Sequence, residues 1–224
     1  MPSNVSHPEM LLSLGLAFVG GYGDAASFVL AKTFTGHVTG NLVLGAIAVV
    51  TFNGRAGLRH LSATVVFLIG VVLSVLIVRP LTTKSSWPLI PTIMGIEVIL
   101  IVAASLVLAS GLAHGAGVFV IFMSFALGLQ NGALRRVGSV SVHTTYLTGM
   151  ITSLISAETE KYVLQGVPRS GSSSDPKIAL LCELWIAFVF GAGAGAAMAL
   201  HFRATGVLGA ALLLIPLLLH EVQS

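Results

Sequence analysis

Charged residues are scarce in this chain of 224 residues: Asp, Glu, Lys and Arg make up 8% of it, while hydrophobic residues make up 55%. Soluble domains carry about 25% charged residues. So small a charged fraction cannot cover the surface of a soluble fold of this length, and the mean hydropathy of +0.98 agrees. The composition predicts an all-α, multi-pass membrane protein whose apolar helices face the lipid bilayer and one another.

Cysteine is nearly absent too, since Cys182 is the single one, and this excludes a disulfide framework. The sequence contains no serine elbow, no HExxH, no P-loop and no dinucleotide-binding pattern, and no two histidines have ligand spacing. We therefore expect no enzymatic activity, no cofactor and no metal. The net charge of +3 is ordinary loop Lys and Arg and does not indicate nucleic acid. The N-terminus lacks the basic region of a secretory signal, so the first apolar run is expected to remain as a span.

Long apolar runs are what the chain has in abundance. A spanning helix needs ~20 residues, and two of the runs, Val38–Phe52 and Thr144–Ala157, are shorter than that. Both begin with small polar residues, which is typical of re-entrant or half-helical segments. The eight runs are Met10–Ala31, Val38–Phe52, Leu61–Val78, Leu89–Gly111, Gly115–Leu134, Thr144–Ala157, Ile178–Leu200 and Thr205–Leu219.

The sequence also repeats itself weakly. Leu16–Ala26 aligns with Met123–Ala133, and Asp24 then falls opposite Asn131. Each copy is followed by a short apolar run and then by two longer ones, which predicts an internal duplication with halves 1–112 and 113–224 in one membrane domain. The identical pairs are Phe18 with Phe125, Gly21 with Gly128, and Ala26 with Ala133.

The number of spans depends on the two short runs. If both cross, there are eight spans in two parallel sets; if both are re-entrant, there are six spans, and the two halves are inverted. Six spans place seven Lys and Arg residues on the side of the termini and four on the other, whereas eight spans divide them five to six. Because basic residues concentrate in the cytoplasm, we expect six spans, two short segments and both termini inside.

Asp24 lies deep in the first apolar run. A charged residue at the centre of a spanning helix costs about 2.5–3.5 kcal/mol on insertion scales. One interpretation makes Asp24 a substrate or proton site. The other makes it a buried hydrogen-bonding group that locks two helices together, with Thr39 or Asn41 as its partner.

Polar residues recur around the two short runs, and we predict that they share a binding site with Asp24. Thr and Asn are good helix N-caps, so we expect them to cap the two short helices. Free N–H groups at the two helix starts could bind an anion or a polar group, although ordinary capped helices would look the same. The arginines either anchor a helix end or turn inward towards an anion. The candidates are Thr39, Asn41, Gln130, Asn131, Arg135, Arg136, Thr145 and Thr148.

Two further carboxylates and one glycine pair have simpler interpretations. Glu97 and Glu183 lie about two turns inside their runs, so we expect each to reach the interface or to pair with a nearby lysine, and they are the second choice as proton carriers. Gly191 and Gly195 form a GxxxG face that predicts close packing between the repeats or between protomers, and hence a homo-oligomer.

Several stretches together resemble the YoaK-like family of bacterial inner-membrane proteins, a domain of unknown function. These stretches are GYGDAASF, TFTGHVTGN, GLQNGALRR and TTYLTG, and the resemblance covers nearly the whole chain. It implies a location in the inner (plasma) membrane and a transporter-like architecture without naming a solute. Gly132 departs from the family's alanine. The signature positions implied are Gly21, Tyr22, Asp24, Ala25, Thr39, Gly40, Asn41, Gln130, Asn131, Arg135, Arg136, Thr145, Thr148 and Gly149.

The sequence thus favours a secondary transporter for a small polar or anionic solute, with proton coupling through Asp24. A channel-like exporter could use the same polar residues as a pore lining. A structural or regulatory membrane subunit without a substrate would need Asp24 only as a helix lock.

Overall fold

The chain forms helices over nearly all of the long apolar runs. The computed structural model describes residues 7–81, 89–133, 136–137, 140–141 and 175–223, with isolated positions at 152, 155, 156 and 159. Its α-helices are α1 (His7–Ala31), α2 (Val38–Val50), α3 (Gly54–Leu81), α4 (Leu89–Ala109), α5 (Gly115–Ala133), α6 (Asp175–Phe202) and α7 (Leu208–Gln223).

Two small elements complete the described part. Strands β1 (Arg136–Val137) and β2 (Val140–Ser141) form a two-residue antiparallel ribbon after α5, and a 3₁₀ turn over Arg203–Val207 joins α6 to α7. Five described stretches are long and apolar enough to cross a membrane, and the last of them, Ala179–Val222, contains both α6 and α7. The prediction of an all-α, multi-pass membrane fold is therefore confirmed. The second short run, Thr144–Ala157, lies outside the described residues apart from isolated positions.

α1 packs chiefly along α6, and glycines set the close approach. A methyl group on Gly21 would overlap the carbonyl oxygen of Phe188, and one on Gly191 would overlap the carbonyl oxygen of Phe18. Each helix thus presents a Phe followed three residues later by a Gly, and the two patterns face each other. Without side chains at these positions the backbones come into direct contact, as small residues allow in membrane helices.

The same pattern recurs where α5 packs along α3. A methyl group on Gly128 would overlap the carbonyl oxygen of Phe67, and one on Gly70 would clash with the carbonyl oxygen of Phe125. Gly70 is therefore the counterpart of Gly191, although no GxxxG pattern marks α3. In both crossings, a helix from one half of the sequence contacts a helix from the other half.

The predicted glycine face of α6 is occupied within the chain. Gly195 meets the carbonyl of Tyr22 one turn after Gly191 meets that of Phe18. Both glycines therefore pack against α1, which is the inter-repeat alternative of the prediction. The homo-oligomer stays a prediction, but these two positions are already covered by α1.

Contacts also fix the helix directions. α1 runs parallel to α6, and α5 runs parallel to α3, because in each crossing later residues meet later residues. α1 and α5 are antiparallel, since Gln130 Nε2 donates to the Leu16 carbonyl at 2.8 Å while Gly23 lies against Met123. α3 therefore runs opposite to α1.

α2 is a short helix that runs back along α3. Gly45 lies against the His60 side chain, and Gly57 lies against Ala48, which makes α2 antiparallel to α3 and parallel to α1. Its 13 residues span only about 20 Å, less than the ~30 Å of a hydrocarbon core. The chain must therefore turn back between α1 and α2, and residues 32–37 make that return.

Candidate functional site

Asp24 holds the returning loop. Its Oδ1 accepts hydrogen bonds from the backbone N–H groups of Thr35 at 2.7 Å and Gly36 at 2.6 Å, and the Thr35 hydroxyl lies 3.4 Å away. The side chain is 4% exposed. An ionised carboxylate is the strongest acceptor that the chain offers to two adjacent amides, so Asp24 fixes the loop at its own level in the bundle.

That level lies near the middle of the bundle. Asp24 comes seven residues before Ala31, so it lies about 10 Å before the end of α1. Arg59 Nη1 donates to the Ala31 carbonyl at 2.7 Å, and α3 begins at Gly54, about 7 Å beyond this contact. The loop and the start of α2 thus lie about 17 Å inside the bundle end, roughly half of a membrane's thickness.

A second set of contacts shapes the loop. The Asn41 side chain bonds Phe34 twice: its Oδ1 accepts from the Phe34 N–H at 3.1 Å, and its Nδ2 donates to the Phe34 carbonyl at 2.7 Å. The Phe34 ring stacks on Phe28 with centroids 4.5 Å apart. Asn41 is 2% exposed, so α2 and the loop form one braced unit.

The structure corrects the predicted partners of Asp24. Neither Thr39 nor Asn41 contacts the carboxylate, because the loop amides reach it first and Asn41 is engaged with Phe34. Thr39 is exposed in the first turn of α2. The helix cap is His37, which makes no side-chain capping bond. The prediction of Thr or Asn as the cap of this helix is therefore wrong.

The second half is described only in part. Gln130 bonds the Leu16 carbonyl of α1, and Asn131 Nδ2 donates to the Leu127 carbonyl one turn back in α5 at 2.9 Å. Both are buried. Arg136 begins strand β1. Arg135, Thr145 and Thr148 lie outside the described residues, so their place in the site stays a prediction.

Tyr22 holds a different junction. Its hydroxyl donates to the carbonyl of Gly206, in the 3₁₀ turn between α6 and α7, and the ring packs against Gly209. The side chain is 2% exposed. Tyr22 therefore fastens α1 to the start of α7 two residues before Asp24, and the described contacts do not direct it towards the loop.

The position of Glu97 shows that the sequence prediction for this residue, an interfacial or lysine-paired carboxylate, is wrong. It is fully buried, at 0% exposed, and among the described residues neither carboxylate oxygen has a hydrogen-bond partner. It does not reach an interface. Glu183, in contrast, is exposed on α6. The sequence predicts how far along its helix Glu97 lies. It does not predict which face of the helix carries Glu97, because tertiary packing decides which face is buried.

Four basic residues lie at the end of the bundle at which α1, α2, α4 and α6 finish, which we call the basic end; six spans place the other seven on the side of the termini. Of the residues described there, the four fully charged ones are cations and none is acidic; they are Lys32, Arg55, Arg59 and Arg203. Lys32 and Arg203 directly follow α1 and α6 with φ of 55° and 51°. Cations are favoured beside helix C-termini, so local capping accounts for part of this cluster.

A cavity of about 540 Å³ opens at the basic end, where α1, α4 and the 3₁₀ turn meet. Arg203 and Thr205 supply its polar side chains, and Val29 and Leu108 lie on its apolar side. A separate groove of about 670 Å³ between α2 and α3 is almost wholly apolar, with Asn41 and Asn53 as its polar edges. Asp24 lines neither of these two cavities.

Comparisons with known proteins agree on the family. Residues 12–220 match the family model described as "Protein of unknown function (DUF1275)". The chain belongs to this DUF1275 family. It is similar to the "UPF0700 transmembrane protein YoaK" of Bacillus subtilis (strain 168), with 30% identity over 153 residues, 67% of each chain. No solved structure matches. The resemblance seen in the sequence is thereby confirmed.

Proposed function

We propose that this DUF1275 protein is a secondary transporter, a carrier rather than an enzyme, which moves a small polar or anionic solute across the inner (plasma) membrane and couples it to protons through Asp24. The solute would bind where α2 begins, at the level of the carboxylate. The coarser conclusion, a membrane protein of this family, does not depend on the proposal.

One observation carries the proposal: a helix starts halfway along an otherwise spanning bundle, beside a buried carboxylate. Such a start needs irregular backbone at membrane depth, which is tolerated where it is buried in protein or lines a polar hollow. Discontinuous helices of this kind form the substrate and ion sites of many secondary transporters. Asp24, Thr35 and Gly36 make up the junction here.

The charge distribution supports an anionic or polar solute. The basic end carries Lys32, Arg55, Arg59 and Arg203 without an acidic residue among the positions described there. A one-signed charge cluster raises the local concentration of oppositely charged solutes. The polar cavity beside Arg203 opens at this end as well.

Helix directions support an inverted repeat, which we propose as the architecture of the carrier. The aligned helices α1 and α5 run in opposite directions, and each packs in parallel on a helix from the other half of the sequence. The Phe-x-x-Gly pattern occurs in all four of these helices. Two inverted halves that exchange helices in this way allow the rocking movement of alternating access.

A structural subunit without a substrate is the second candidate, and one observation favours it. Asp24 Oδ1 already accepts from both loop amides, so its burial could serve only to hold the loop. A channel-like exporter remains the third. The three functions differ in flux and in exchange, which can be measured separately.

Proteoliposomes test these alternatives with radiolabelled phosphate, sulfate and succinate as probes, each with and without an imposed pH gradient. The proposal expects that at least one probe accumulates and shows stimulation by unlabelled solute on the far side. In Asp24→Asn, which keeps an oxygen that can accept from the loop amides, accumulation should no longer follow the pH gradient. Glu183→Gln, at an exposed carboxylate of α6, is the matched control and should behave as the wild type.

The three candidate functions predict different results in these transport measurements. Unchanged pH-dependent uptake in Asp24→Asn would remove Asp24 from coupling. Flux without stimulation from the far side would favour a channel. If a folded protein moves none of the three probes, the structural subunit is favoured over an anion carrier.

A further inference from the structure

Glu97 is a buried acid that the proposed mechanism does not use. It is 0% exposed, and among the described residues neither oxygen has a partner. It lies on the face of α4 that carries Met94 one turn before and Ile101 one turn after, both of which are buried in the main apolar cluster. Helical spacing therefore directs Glu97 to the inside of the bundle.

Helix register places Glu97 at the same level as an equally unusual hydroxyl. Gly115 lies against the Val107 carbonyl, and this fixes the antiparallel register of α4 and α5. Glu97 is ten residues before Val107, and Ser124 is nine residues after Gly115, so the two lie within about 2 Å of the same level. Ser124 Oγ is likewise buried without a partner in the described structure.

The same level contains Asp24. A methyl group on Gly23 would lie 3.2 Å from the terminal methyl of Met123 across the α1–α5 interface, and Asp24 and Ser124 are the next residues in their helices. Two carboxyl groups and a hydroxyl on three helices therefore lie in one layer halfway along the bundle. This layer is where the start of α2 also lies.

Asp24 is the titratable group that shares a layer with Glu97. Helix α5 has no titratable side chain between Gly115 and Ala133. The other titratable groups of the elements packed against α4 lie near the ends of those elements. They are Arg55, Arg59, His60 and Arg79 on α3, Arg203 on the 3₁₀ turn, and His220 and Glu221 on α7.

The apolar surroundings of Glu97 indicate which ligand its carboxyl group binds. An ionised carboxylate without a partner is very costly in an apolar interior, and a group in that position becomes neutral instead. A hard metal cation would need several converging oxygen ligands. The layer offers the Ser124 hydroxyl and Asp24, whose Oδ1 is already bonded to the loop amides, and the described residues contain no group of three His, Cys, Asp or Glu side chains that could hold a metal. A proton needs no further ligand. A group kept only for structure would be better served by an apolar side chain.

We propose that Glu97 is a second proton-binding site of the carrier, separate from the Asp24 loop. In the described conformation it is protonated; when helix movement admits water, its O–H bond breaks, the proton passes to a water molecule to give hydronium, and the carboxylate remains. The reverse transfer restores the acid. This assignment rests on the proposed carrier function, but its protonation chemistry can be measured without any transported solute.

Infrared spectroscopy of the reconstituted full chain tests it. With ¹³C-labelled glutamate, the carbonyl stretch of a protonated glutamic acid shifts, while that of Asp24 does not. The proposal expects an isotope-shifted band at neutral pH that is lost in Glu97→Gln and retained in Glu183→Gln and Asp24→Asn. The band should decrease as pH rises and should shift after transfer to D₂O, because water reaches the group in part of the ensemble.

Three results would overturn the proposal. They are the absence of an isotope-shifted acid band in the wild type, a band that survives in Glu97→Gln, and a band that neither titrates nor exchanges in D₂O. The last would mean a permanently sealed acid. If Glu97→Gln does not fold, the labelled wild type still gives the first and third outcomes, and Glu97→Asp, which moves the acid band out of the glutamate label, replaces the variant. Failure of solute transport would leave these spectra unchanged, so the two proposals fail separately.

Discussion

Two buried carboxyl groups lie at nearly the same depth of this bundle and are treated in opposite ways. Asp24 has two backbone amides on one oxygen, while both oxygens of Glu97 lack a partner within the described residues. Burial alone therefore does not show whether an acid stabilises the fold. The partners do, because a bonded acid holds its neighbours in place and an unbonded one contributes nothing to stability that an apolar side chain would not.

This contrast predicts opposite responses to the same kind of substitution. Removing the Asp24 carboxylate leaves the backbone N–H groups of Thr35 and Gly36 without an acceptor. Removing the Glu97 carboxylate leaves no described donor without its acceptor, and it removes the cost of burying a polar group. Thermal unfolding in detergent measures the change in stability that each substitution causes, so the two acids can be compared directly.

Asp24→Leu has the largest expected effect. The N–H groups of Thr35 and Gly36 would stay buried without an acceptor, at about 1–3 kcal/mol each, so we expect a loss of roughly 2–6 kcal/mol in unfolding free energy. Asp24→Asn keeps an acceptor oxygen and should lose much less. Equal losses in the two variants would show that charge, and not the hydrogen bonds, holds the loop.

Asn41→Ala comes next. It removes both bonds to Phe34, and the partly buried backbone groups of Phe34 lose their partner, which should cost about 1–3 kcal/mol. Thr39→Ala, two residues earlier and exposed, is the control and should stay within about 0.5 kcal/mol of the wild type. A control as unstable as Asn41→Ala would contradict the described position of Thr39.

Glu97→Met has the smallest effect, and its sign matters more than its size. Methionine has a similar volume and no polar group to bury, so stability should remain unchanged or rise by up to about 3 kcal/mol. The midpoint of thermal unfolding measures this directly. A loss comparable to that of Asp24→Leu would indicate that Glu97 bonds a structural partner, and the contrast between the two acids would disappear.

Much of the fold could be predicted from sequence because the membrane restricts the choices. Long apolar runs that cross a membrane must be helices, and the shortness of Val38–Phe52 favours a segment that does not span. The stretches aligned around Asp24 and Asn131 lie in α1 and α5, which run antiparallel. The distribution of Lys and Arg between the two sides of the membrane could also be compared for six and for eight spans. It differs between them because adding or removing one crossing moves every later loop to the opposite side.

The contacts of the site could not be predicted. Asp24 is bound by backbone amides of Thr35 and Gly36, and a backbone donor leaves no mark in the sequence. The inward orientation of Glu97 depends on which face of α4 meets α5 and α7, which hydrophobic periodicity cannot reveal in a helix that is apolar all round. The role of Gly70 became visible only through its contact with Phe125.

The central claim is that α2 turns back within the membrane, so that the chain enters and leaves the loop-and-helix unit on one side. Single-cysteine variants Lys32→Cys and Asn53→Cys, in a Cys182→Ala background, place a thiol at each end of this unit, at exposed positions. A membrane-impermeant thiol reagent applied to oriented vesicles should label both from the same side. Labelling of the two positions from opposite sides would mean that α2 crosses the membrane, and would contradict the account.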